Sequence, residues 1–135
     1  MGLDMYMIRA KKLRKNDAEY NKLVIETSEE VAYWRKANQI RKWIVDNCGY
    51  DTDSNCEYFL ITKEQLEKLK EDLNAIIKDN SLAEKLFPTE GKFFFGSTEY
   101  DDWYFDKLKE SKKKISEILK ETDFDKEDIY YYESW

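Results

Sequence analysis

No histidine occurs anywhere in the 135 residues. That absence removes Ser-His-Asp and Cys-His catalysis, HExxH zinc chemistry and imidazole general-base work in one step. Cysteine is nearly as scarce. Cys48 and Cys56 alone cannot complete a structural zinc site, and in a chain that starts without a secretory signal two reduced thiols are expected rather than a bridge. Long apolar runs are also missing. The stretches "YFLI" and "FFF" are far too short to span a bilayer. The start "MGLDMYMIRAKKLRK" sets charges close around its short apolar stretch and so lacks a secretory h-region. Tyr6 stands where a myristoylation motif needs Ser or Thr. An excess of positive charge is absent as well: the net charge of −6 argues against a protein that coats nucleic acid, because phosphate binding needs a cationic surface.

What is there is charge and aromatic bulk. Aromatic residues make up 16% of the chain, too much apolar surface for a disordered segment, so a folded protein of the cytoplasm is expected, with residues 1–135 as one domain. One local plan recurs three times, an apolar run followed by Ser or Thr and an amphipathic stretch: "LVIETSEEVAYW", "YFLITKEQLEKL" and "FFFGSTEYDDWYF". Thr27 with Glu30 and Thr62 with Gln65 have capping-box spacing, and Ser97 or Thr98 offers a third N-cap. Three helices are predicted, over about Ser28–Asn47 (stopped by Gly49), Lys63–Asp79 and Thr98–Glu121. Pro88 marks a loop, and "LDMYMI" and "IYYYESW" read as first and last strands. The expected fold is therefore α+β: a small mixed or antiparallel sheet packed with about three amphipathic helices.

At 100° per residue, Tyr33, Ala37, Ile40 and Ile44 form a core stripe on the first predicted helix, flanked by Trp34, Asn38, Arg41 and Val45. Arg35, Lys36, Gln39 and Lys42 then face solvent. A half-buried arginine needs a partner. One candidate is Asp101, on the apolar side of the third helix. The other is an anionic ligand, in a pocket built from Trp34, Asn38 and Arg41 with Tyr100, Asp101 and Trp103 opposite: indole stacks, amide reads polar edges, guanidinium grips phosphate or carboxylate. The end of the chain offers Tyr130, Tyr131, Tyr132 and Trp135 as a partner-binding surface, for a protein or a second copy of the chain, or as a plain last strand. "FFFGST" lacks the remaining glycines and the lysine of a P-loop, so Gly96 reads as a turn residue. "DTDSNCE" opens like a calcium loop but has Cys56 and Thr62 where glycine and glutamate are required. No metal or cofactor is expected.

The opening "MGLDMY", the stretch "EVAYWRKANQI" and the segment "FFFGSTEYDDWYFDKL" together resemble a group of small uncharacterised proteins encoded by phages and prophages. The resemblance carries no activity, catalytic residue or fold. It implies an accessory protein made in a bacterial cytoplasm that acts by binding a host component. Two non-enzymatic expectations follow: a sponge that sequesters a nucleotide-like defence signal, or an acidic inhibitor that binds a basic host protein such as a nucleic-acid enzyme of a defence system. A carboxylate- or metal-dependent hydrolase is the third, with no spacing that singles out a ligand set.

Overall fold

The computed structural model describes residues 2–12, 28–91 and 95–135. Its four strands are β1 (Asp4–Lys11), β2 (Glu29–Arg35), β3 (Phe59–Ile61) and β4 (Glu127–Ser134). They form one antiparallel sheet in the order β2-β1-β4-β3. Its helices are α1 (Asn38–Cys48), α2 (Lys63–Lys78), the single turn α3 (Ala83–Leu86) and α4 (Asp102–Glu121), with a short 3-10 turn before α3. This is the expected α+β fold, and its sheet is antiparallel throughout. Among the described residues no helix is long and apolar enough to cross a membrane.

The first predicted helix is half strand. Residues 29–35 pair with β1, and helix begins only at Asn38. Two periodicities compete here. The 3.6-residue stripe from Tyr33 to Ile44 runs across an alternation in which Ala32 and Trp34 are buried opposite Met7 and Met5, and the β-formers Val31, Tyr33 and Trp34 favour the strand. Lys36, at φ 55°, turns the chain between the two elements. Gly96 packs directly against it. A Cβ on Gly96 would lie 3.0 Å from the Lys36 Cβ, and its φ of 88° is one that glycine adopts freely. Glu30, inside a strand, cannot complete a capping box, and Thr27 lies outside the described residues, as do residues 23–25 of the first predicted apolar run.

The other ends follow local chemistry more closely. Helix α1 stops at Gly49 in the left-handed region. Helix α2 opens on the expected reciprocal cap, with Gln65 N–H donating to Thr62 Oγ1 (3.2 Å) and Thr62 N–H donating to Gln65 Oε1 (2.9 Å). The α4 cap is displaced. Ser97 is spent on a local turn with Glu99 N–H, and Asp101 caps the helix by accepting from Tyr104 N–H at 3.0 Å. Of the run "FFF", only Phe95 is described, and it lies in a bend rather than a strand.

One face of the sheet carries the core. Met5, Met7, Ala32, Trp34, Ile129 and Tyr131 pack with Ile40 and Ile44 of α1, Leu66, Leu69, Leu73 and Ile76 of α2, and Tyr104, Leu108, Ile115 and Ile118 of α4. Both buried indoles there have acceptors, Trp34 Nε1 on Ser111 Oγ (2.8 Å) and Trp43 Nε1 on Asp72 (2.9 Å). Among the described residues the opposite face holds a small buried cluster of Ile8, Ala10 and Tyr130, with Tyr58 against it. Replacing the exposed Thr62 by Ala removes one half of the α2 cap, an expected loss of about 1 kcal/mol, or roughly 3–5 °C in melting temperature for a chain of this size. Thr62→Ser should keep most of it, and calorimetry on the two variants checks both.

Candidate functional site

Arg41 is fully buried, and so is its main partner, Glu133. Alternation along β4 explains the meeting: Ile129, Tyr131 and Glu133 point to the helix side of the sheet, where α1 lays Arg41 over the end of the strand. Nε donates to both Glu133 oxygens (3.0 and 2.8 Å). Nη1 reaches Glu90 (3.0 Å) and Nη2 the Thr52 carbonyl (2.6 Å). Glu133 also accepts from the Tyr131 hydroxyl (2.7 Å) and from Trp135 Nε1 (3.2 Å). The guanidinium carbon lies 4.7 Å from the centroid of the Phe95 ring. Burial pulls the Arg41 pKa down, but the hydrogen bond and charge of Glu133, with Tyr131 and Glu90, outweigh it and leave it raised. Burial first and then Glu133 push Tyr131 well above the usual range, so it remains a phenol donor.

Asp101 therefore has no part in pairing Arg41. The expected Arg41–Asp101 pair is replaced by one whose partner is 92 residues away in sequence. The signal was the i, i+2 spacing of Tyr131 and Glu133 on one strand face. Asn38, one turn before Arg41, is also buried and fully engaged. Its amide donates to the carbonyls of Phe95 (3.1 Å) and Ser97 (2.9 Å), and its Oδ1 accepts from Glu90 N–H (3.0 Å). Asn38 and Arg41 thus hold Glu90, and Asn38 also holds Phe95 and Ser97. Gln39, expected to face solvent, is buried too, with Nε2 on the Tyr104 carbonyl (3.3 Å) and, among the described residues, no partner for Oε1. Among the described residues the Tyr50 hydroxyl likewise has no partner, close to Glu133 but outside hydrogen-bonding geometry.

The six residues considered for a ligand pocket are thus dispersed over several roles. Trp34 belongs to β2 and the core, with Lys114 Nζ 5.0 Å from its ring. Asn38 and Arg41 are consumed by protein partners. Asp101 is a helix cap. Tyr100 and Trp103 lie partly exposed at the start of α4, the first packed on Tyr104 at 4.9 Å, the second beside Lys107. The terminal aromatics divide between the two faces. Tyr131 and Trp135 join the Arg41 cluster, whereas Tyr130 and Tyr132 lie on the other side of the sheet.

That other side carries a feature the sequence reading missed. Tyr33, Tyr6, Tyr132 and Tyr58 follow one another across four neighbouring chain segments, with ring centroids 5.1, 6.1 and 4.8 Å apart. Each comes from a different segment, so only the register β2-β1-β4 aligns them: Tyr6 is opposite Tyr33 on one side and Tyr132 on the other. Tyr6, Ile8, Tyr58, Tyr132 and Ser134 line a shallow depression of about 380 Å³. Asp4 and Glu30 border it. Burial and then these two carboxylates raise the Tyr6 pKa, the hydrogen bond from Tyr33 to Asp4 (2.5 Å) is the main cause of the rise at Tyr33, and a hydrogen bond with Cys56, helped by burial, pushes Tyr132 up to about 12. Tyr6, Tyr33 and Tyr132 are neutral phenols at cellular pH, and Arg35, paired with Asp4 at 3.1 Å, works against the rise at Tyr33. Among the described residues no group of three or more Cys, Asp and Glu side chains is placed to hold a metal ion.

Comparisons with protein-family models, curated proteins and solved structures find no match to the chain.

The Arg41 cluster behaves as structure. Arg41→Met leaves Glu133 buried without its counter-charge, which costs about 3–5 kcal/mol, and Arg41→Lys restores little of it because an ammonium cannot span Glu133, Glu90 and the Thr52 carbonyl together. Urea unfolding of the two variants measures this; a loss below about 1 kcal/mol for Arg41→Met would show that the cluster is not a stability element.

Proposed function

We propose that the protein is a non-catalytic binding module that engages a basic protein surface through the tyrosine ladder on the sheet face opposite its described helices. One observation carries the reading: three tyrosines in register, Tyr33, Tyr6 and Tyr132, with Tyr58 packed against the last, on the side of the sheet opposite the described helices, bordered by Glu30 and by Asp4 with its partner Arg35. Tyrosine gives large contact area for little conformational entropy and keeps a polar hydroxyl for adaptable hydrogen bonding, which is why it is enriched in binding surfaces. The acid border favours a cationic partner and speeds its approach. It also disfavours two alternatives. Two copies meeting through this face would bring like charges together, and single-stranded nucleic acid, which does stack on aromatic platforms, would set its phosphates against carboxylates.

Of the two non-enzymatic expectations, this is the protein-binding inhibitor with its surface relocated. The partner side uses Tyr6, Tyr33, Tyr58 and Tyr132 in place of the whole run Tyr130–Trp135. The sponge reading loses support because Trp34, Asn38 and Arg41 are buried and occupied by the protein's own groups. The resemblance to phage and prophage proteins makes a host protein the partner to seek first.

The test starts from the immobilised protein and a nuclease-treated bacterial lysate, with the retained protein identified, purified and titrated. The double charge reversal Asp4→Lys/Glu30→Lys should weaken binding about tenfold or more, and wild-type affinity should fall between roughly 50 and 200 mM salt as the charges are screened. Wild-type affinity in the reversed variant would overturn the reading. So would a rise in melting temperature with mono-, di- or cyclic nucleotides or ADP-ribose compounds that Tyr132→Leu leaves intact, since a ligand of the native state must stabilise it.

A further inference from the structure

We infer that the outward face of the first two turns of α4, centred on Trp103, is a second docking surface, and that its occupant is a cationic segment of a partner protein. The inference stands on observations separate from the tyrosine ladder. The first is the state of the tryptophans. Trp34, Trp43 and Trp135 donate their indole N–H groups to Ser111, Asp72 and Glu133. Trp103 is 38% exposed, and among the described residues its N–H has no acceptor. Tyr100, three residues earlier, is exposed to nearly the same degree. A surface indole with large contact area and an unused donor is the kind of side chain most enriched among those that dominate binding energy.

Charge selects the occupant. Glu99, Asp101, Asp102 and Asp106 are all exposed, and Asp102, Trp103 and Asp106 fall within about 100° of arc on the helix. Among the described residues none of these four carboxylates is ion-paired. Helix capping accounts for part of the set: Asp101 caps α4, and Asp102 lies in its first turn, where the macrodipole favours negative charge. It does not account for Glu99, before the cap, or for Asp106, in the second turn, because the effect fades beyond the first. Lys107 Nζ lies 5.5 Å from the Trp103 centroid, so the ring already accepts a cation, yet that ammonium pairs with Glu110 (3.3 Å) and leaves Asp102 and Asp106 to an incoming charge. The surface is also held in place. The Tyr100 hydroxyl accepts from Thr89 N–H (3.3 Å), and its ring meets Tyr104 at 4.9 Å, whose hydroxyl donates to the Phe87 carbonyl (2.6 Å). Little ordering is left for a partner to impose.

The test uses the full chain and two synthetic peptides, acetyl-Gly-Lys-Lys-Gly-Lys-Lys-Gly-amide and its glutamate counterpart, at low salt. In a ¹⁵N-labelled sample the lysine peptide should move the Trp103 indole resonance, assigned with Trp103→Phe, and leave those of Trp34, Trp43 and Trp135 in place; the glutamate peptide should move none. By calorimetry, Trp103→Ala should weaken the lysine peptide about fivefold or more, and so should Glu99→Gln/Asp102→Asn/Asp106→Asn, which spares the Asp101 cap. Glu64→Gln/Glu67→Gln/Glu71→Gln removes as many exposed charges from α2 and should cost less than about twofold. Circular dichroism melting of each variant verifies that the fold persists. An equal loss in the α2 variant reduces the effect to diffuse attraction by net charge and overturns the surface, as does indifference to Trp103→Ala or the absence of any shift at its indole. Loss of peptide binding in Asp4→Lys/Glu30→Lys, with the α4 variants indifferent, would put the cation on the sheet face: this surface falls and the tyrosine reading stands.

Discussion

The ion pair between Arg41 and Glu133 is the constraint on which the rest of the fold depends. Taking two charges out of water costs several kcal/mol per ion, and the pair is tolerable only when every remaining donor and acceptor finds a partner. Here the supply of partners is what organises the chain. Thr52 comes from the loop after α1, Glu90 from the segment after α3, and Tyr131 and Trp135 from the final strand and its end. Three stretches that share no regular hydrogen bonding with α1 are thus tied to one ion pair. Asn38 adds the 95–97 backbone by the same logic, one helical turn earlier. An apolar residue at position 41 with an apolar residue at 133 could serve packing equally well, but it would leave the loops without a fixed address.

The same pair determines how the sheet is used. Glu133 can reach Arg41 only if odd-numbered residues of β4 face the helices, which commits Tyr130 and Tyr132 to the other side. The antiparallel register then extends that choice to β1 and β2, because residues paired across strands share a face. Tyr6 and Tyr33 follow Tyr132 outward while Met5, Met7 and Trp34 go inward. A one-residue slip of β4 would exchange the two sets and bury the acid-bordered ladder. The aromatic wealth of the chain is therefore divided: Trp34, Trp43, Tyr104 and Phe87 build the core, and the ladder tyrosines are left as surface.

How much of this the sequence disclosed depended on the range of the interaction. Features set within one turn were legible: the Thr62–Gln65 cap, the Gly49 stop, the extent of α2 and the first strand. The stretch 29–35 was not, because its apolar residues satisfy a period of two and also, across Lys36, a period of 3.6. Nothing local announces that Lys36 takes a left-handed conformation; the turn is held by what packs on it, including Gly96. The true α4 cap lay at Asp101, where Asp101, Asp102, Ser97 and Thr98 all offered acceptable side chains and tertiary packing chose among them. Arg41 was legible as a residue in need of a partner, but the partner was fixed by β4 register and so invisible to helical geometry. The tyrosine ladder was the least legible of all, since its members are dispersed over positions 6, 33, 58 and 132 and meet only through the sheet.

An exposed sheet offers two ways to bind, along an edge or across a face, and the edges here are guarded. The outer edge at β2 meets Lys114 of α4, whose ammonium donates to the Tyr33 carbonyl and so occupies a backbone acceptor that an incoming strand would need. At the other edge β3 is only three residues long, too short to template extensive strand addition. Among the described residues the face has neither protection at the Tyr6 end: its rings are partly exposed, and Asp4 Oδ2 has no hydrogen-bond partner. Edges blunted by a lysine and by brevity next to a face left aromatic and acidic form a combination that suppresses indiscriminate strand pairing and leaves side-chain recognition as the open route. Such a surface selects by charge and ring stacking rather than by backbone, and backbone pairing, available to any extended chain, is the contact that would have made it unselective.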